Sequence, residues 1–121
     1  MTLLRAFWRA AREVDPERAA EADETTIFHG FAKDRLATLW RAVGLHGVRC
    51  GPLVVSASYA DFEDLWSPLP TGVGPAGSLC KTLDEERRAA LHQAFRRLLG
   101  VHDGAFELTA RAWAVAGTVG V

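Results

Sequence analysis

The apolar positions of this chain fall into blocks with distinct periods. Over residues 3–14, Leu4, Phe7, Trp8, Ala11 and Val14 recur at helical spacing, while Arg5, Arg9, Arg12 and Glu13 fall mostly on the other side. That spacing predicts an amphipathic helix. Asp15-Pro16 reads as an N-cap followed by proline in the first helical position, opening a short helix to about Ala22. From about Ala32 another helix carries Leu36, Leu39, Trp40 and Val43 on one face, and Gly44 stands where a left-handed C-terminal cap is needed.

The pattern then changes period. Residues 48–57 are rich in valine and leucine and predict a strand, and Pro52, which has no N–H to donate, suits an edge position. Ser58 with Asp61 resembles a capping box, followed by Phe62, Leu65, Trp66 and Leu69 at helical spacing until Pro68 and Pro70 close the helix. Residues 72–77 are glycine-rich and read as a lid-type loop. Thr82 with Glu85 is a second capping box. Its helix has acidic residues in the first turn, Arg96 and Arg97 in the last, an apolar face of Leu91, Ala94, Phe95 and Leu98, and Gly100 as the stop. Residues 106–116 alternate with strand periodicity, and from Ala112 onward both faces are apolar, which predicts an inner strand. The expected architecture is α/β: one domain over residues 1–121, with an antiparallel strand pair covered by about four helices.

Composition narrows the function classes. The chain has 121 residues, 49% hydrophobic and 24% charged, an ordinary balance for one globular domain. Fourteen basic against fifteen acidic residues leave a net charge of -1, so no global field favours a nucleic-acid backbone. No apolar run reaches the roughly 20 residues of a membrane span, and Arg5 and Arg9 interrupt any signal-peptide core, so the expected location is the cytoplasm. Cys50 and Cys80 stand alone and suggest neither a disulfide framework nor a zinc site.

Three phrases carry a family resemblance: Leu39-Trp40-Arg41-Ala42-Val43-Gly44-Leu45, Asp61-Phe62-Glu63-Asp64-Leu65-Trp66 and Ala110-Arg111-Ala112-Trp113-Ala114-Val115. With the element order, they resemble the C-terminal region of bacterial class I S-adenosylmethionine-dependent methyltransferases of the type-11 kind, over nearly the whole chain. The resemblance implies a partial Rossmann-like methyltransferase fold. In it the two strands are the sixth, at the edge, and the seventh, which slots between the sixth and a fifth strand carried elsewhere. It also implies that the S-adenosylmethionine site lies in an N-terminal half that this chain lacks, so that no cofactor-binding residue is expected here and the isolated chain is inactive. The first helix, which opens without a start signal, fits that expectation. Gly72-Val73-Gly74-Pro75-Ala76-Gly77 does match G-x-G-x-x-G, but it follows a helix rather than a strand, and no carboxylate lies in residues 92–97.

Candidate contact residues follow. In the resembled family the excursion between the last two strands covers the active site, which makes Tyr59, Phe62 and Trp66 candidates to line a substrate cavity; the same spacing also suits a packed helix face. His29, between Phe28 and Phe31, is the candidate histidine for a small-molecule pocket or for exposed loop surface. His46, His92 and His102 read as turn or helix-surface residues, and their spacings match no metal motif. Arg111, in an inner strand, calls for a carboxylate partner or an exposed strand end. The expected partner is the missing N-terminal half or a second copy joined through the open strand edge. The alternative function is a standalone small-molecule-binding or self-associating module.

Overall fold

The computed structural model describes residues 2–23 and 33–120. Among them are six α-helices, one 3-10 turn and a two-stranded antiparallel sheet. The helices are α1 (Thr2–Val14), α2 (Pro16–Ala22), α3 (Lys33–Ala42), α4 (Phe62–Trp66), α5 (Gly74–Thr82) and α6 (Glu85–Leu99); the strands are β1 (Leu45–Tyr59) and β2 (Phe106–Val119). The fold is mixed α/β, with more helices than the expected four. None of the described helices is long and apolar enough to cross a membrane.

The core lies between α1 and α6, closed by α4 and α5. Phe7, Trp8, Ala10 and Ala11 form the buried stripe of α1, and Leu91, Ala94 and Phe95 that of α6. The Phe7 ring meets Phe95 edge-on at 5.4 Å between centroids. Each large side chain withdrawn here from water contributes about 1.5–3 kcal/mol. The ends of α6 explain its length. Asp84 Oδ1 accepts from the Arg87 backbone N–H at 2.8 Å, and Gly100, at φ 69°, turns its N–H back to the Arg96 and Arg97 carbonyls. Asp84, rather than Thr82, is therefore the N-cap: Thr82 completes α5, its hydroxyl donating to the Leu79 carbonyl. In the same way Asp61, not Ser58, caps α4 by accepting from the Asp64 N–H at 2.9 Å, because β1 runs on through Ser58 to Tyr59.

Arginines satisfy the last carbonyls of α5, which a helix end leaves without internal partners. Arg88 donates to the Cys80 and Leu83 carbonyls at 3.1 and 3.0 Å, and Arg18 to Thr82 at 2.7 Å. Asp23, buried at the end of α2, accepts from Arg12 at 2.9 Å and ties α2 to α1.

The two strands form a long ribbon, with Tyr59 opposite Phe106, Pro52 opposite Trp113 and Leu45 opposite Val119. At its base Tyr59 stacks on Phe106, and Leu108 packs on the helical core. At the other end α3 lies against both strands. The middle is bare: Leu53, Val54 and Val55 are 59%, 62% and 64% exposed, so neighbouring residues on both faces meet solvent. In this two-stranded sheet β2 pairs on one side alone among the described residues, and Trp113, Ala114 and Val115 of its expected inner stretch are half-buried rather than buried. Arg111 is exposed, and its guanidinium lies 4.8 Å from the Trp113 ring centre rather than against a carboxylate.

Candidate functional site

The helical excursion between β1 and β2 gathers a cluster around His92 of α6. Its Nε2 lies 2.5 Å from Glu63 Oε1 of α4. The imidazole sits edge-on to Phe62 and to Trp66, with centroids 4.8 and 5.0 Å away and planes at 90° and 84°. Phe62 and Trp66 stack on each other at 6.3 Å, and both reach Phe95 in the core. Packing thus holds the ring on two sides while leaving the side chain a quarter exposed.

The local sequence explains this arrangement. Phe62 and Trp66 are one turn apart on α4, with the Asp61 cap and Pro68 limiting that helix to little more than one turn. His92 borders the Leu91–Phe95 stripe of α6, so its ring lies at the margin of the core. A neutral imidazole has one N–H, and an ionised carboxylate only accepts. In the neutral ring, a hydrogen bond to ionised Glu63 therefore puts the proton on Nε2 and leaves Nδ1 with its lone pair.

Two grooves meet at this ring. One, of about 360 Å³, is bordered by Glu63, Trp66, Glu85 and Arg88; the other, of about 550 Å³, follows α6 past Arg96 to His102. His92 and Gln93 line both.

Of the candidates named from sequence, the structure brings Phe62 and Trp66 together at this cluster, both largely buried as core residues. Tyr59 is partly buried at the ribbon base, with Phe106 as its ring partner. His29 lies outside the described residues. Sequence reasoning does not single out His92 and Glu63. The position of residue 92 beside a buried stripe is the available signal for the histidine, whereas a partner 29 residues away leaves no mark in local spacing.

The glycine-rich segment is not the lid expected. Gly72 and Gly74 adopt φ 98° and 67°, and α5 begins at Gly74 with Pro75 in its first turn. A Cβ on Gly77 would lie 2.7 Å from the Gly72 carbonyl carbon and 2.9 Å from the Leu69 oxygen. The absence of a side chain on Gly77 allows α5 to pack backbone to backbone against the preceding turn (Leu69–Thr71). Cys80 is fully buried, and burial pushes its thiol up to about 11 despite the opposing charge of Arg88. It is a poor nucleophile there. Among the described residues no group of three or more His, Cys, Asp or Glu side chains is placed to hold a metal ion.

Compared with known proteins, the chain matches no family model, no curated protein and no solved structure.

Proposed function

We propose that this chain is the C-terminal, substrate-covering part of a class I S-adenosylmethionine-dependent methyltransferase, inactive until a cofactor-binding half joins it. The observation that carries the reading is the placement of the excursion. α4, α5 and α6 leave the carboxyl end of β1 and return to the start of β2. In open α/β sheets that is the end at which ligands bind.

The strand chemistry supports the same reading. Proline is tolerated in a ladder where its nitrogen faces an open edge, so Pro52 marks β1 as the outer strand. β2 has no proline and can pair on its other side with a strand of the cofactor half. In this reading Tyr59, Phe62 and Trp66 belong to the acceptor side. The Glu63–His92 pair holds an imidazole lone pair toward the acceptor, where it can take a proton.

Calorimetric titration of S-adenosylmethionine into the isolated chain is expected to give no binding heat. Micromolar affinity, about -8 kcal/mol, overturns the reading. Mixing the chain with the cofactor-binding half of a type-11 methyltransferase is expected to slow amide exchange along β2. Unchanged exchange counts against it.

A second reading, self-association through the edge of β2 into a four-stranded sheet, is favoured by the sheet having two strands among the described residues, fewer than a sheet needs for independent stability. Sedimentation of a strict monomer removes it.

A further inference from the structure

We propose that the groove along the C-terminal half of α6 binds a small hydroxylated carboxylic acid, its hydroxyl at His92 and its carboxylate at Arg96 and His102. Binding at this groove does not depend on the methyltransferase reading; naming such a ligand as the methyl acceptor does.

The groove holds about 550 Å³, within the range of small-molecule sites. Its lining includes His92, Gln93, Arg96, Arg97, Val101 and His102, and no aspartate or glutamate. The lining itself carries basic side chains, Val101 adds an apolar surface, and the carboxylates that pair with Arg96 and Arg97, Asp103 and Glu13, lie outside the lining. An anionic ligand that takes the place of one of those carboxylates fits the arginines.

The two arginines are occupied in a way that a ligand can displace. Arg96 pairs with Asp103 and Arg97 with Glu13, and the Asp103 side chain is 97% exposed. Surface pairs of this kind contribute little, because solvent screens them. Exchanging Asp103 for a ligand carboxylate keeps the charge partner and can add a bidentate contact.

The opposite end of the site is set by Glu63. In the neutral tautomer that donates from Nε2 to that carboxylate, Nδ1 is an acceptor, so the group that tautomer recognises carries a proton: a hydroxyl rather than an ether or a second carboxylate. His92 and Arg96 are one helical turn apart, about 6 Å along the axis. A hydroxyl and a carboxylate separated by a spacer of aromatic-ring size span that distance once the side chains extend.

The test uses the isolated chain at pH 8 and 4-hydroxyphenylacetate as probe, followed by NMR shifts of the α6 amides. Saturable binding is expected, with phenylacetate and 4-hydroxybenzyl alcohol each at least tenfold weaker. Arg96→Gln is expected to abolish the preference for the carboxylate and His92→Asn the preference for the hydroxyl. His92 packs on aromatic rings and its loss can disturb folding, so the partly exposed Arg96 and the ligand series decide the outcome. No saturable shift, equal binding of the three ligands, or an Arg96→Gln chain that keeps full preference overturns the proposal. None of these outcomes bears on the S-adenosylmethionine titration, so the two readings fail separately.

Discussion

Replacing Gly77 by alanine sets two physical effects against each other. By helix propensity alone the change stabilises, because glycine within a helix is about 0.5–1 kcal/mol worse than alanine. The structure predicts the reverse. The added methyl lands 2.7 Å from the Gly72 carbonyl carbon, 2.9 Å from the Leu69 oxygen and 3.2 Å from the Gly72 Cα. All three atoms are backbone, and the segment that carries them is held by the Gly72 N–H bonded to the Leu69 carbonyl at 3.0 Å. No flexible side-chain tip can move aside. Overpacking typically costs about 1–3 kcal/mol, and subtracting the propensity gain leaves about 0–2.5 kcal/mol; contact with three held backbone atoms places the net loss in the upper part of that range, about 1–2 kcal/mol. For a chain of this length that lowers the thermal midpoint by about 4–8 °C. Urea melts followed by far-UV circular dichroism, with Ser78→Ala on the exposed side of the same helix as control, measure it. A Gly77→Ala chain as stable as its parent, or more so, refutes the close approach of α5 to the turn before it.

Two further outcomes follow from named contacts. Arg12→Ala removes a charged partner of the buried Asp23 and is expected to cost about 1–3 kcal/mol in the same urea melts; a change within error shows that the pair does not hold α2 to α1. Cys80 titrates near 9.0 in the unfolded chain and about 11 in the folded one because burial disfavours the thiolate. The folded state therefore holds the proton more tightly. The contribution is complete below pH 9 and is lost as pH rises toward 11, so Cys80→Ala is expected to flatten the decline in stability across that window.

Much of the helical body is legible in sequence because its signals are local. The 3.6-residue stripe of α1, the Asp15-Pro16 start of α2 and the Gly100 stop of α6 each act within one or two turns, and all three are found where the spacing places them. The caps of α4 and α6 are displaced for an equally physical reason. Serine or threonine three residues before a carboxylate fits a capping box, but Asp61 and Asp84 can cap as well, and the length of β1 and the end of α5 decide between them. Residues 72–77 mislead because glycine marks both flexible loops and close packing. Only the position of a neighbouring backbone separates the two.

Periodicity, capping and proline chemistry determined that this chain forms amphipathic helices and two strands able to pair antiparallel, since those properties need only neighbours in sequence. Tertiary structure alone decided which side chains meet. The partnership of His92 with Glu63, the clamp of Phe62 and Trp66 around that ring, and the burial of Cys80 join residues on separate elements. It also decided that the middle of the ribbon is bare. Apolar alternation in β2 records a preference for burial, but only the arrangement of the other elements determines whether anything covers it.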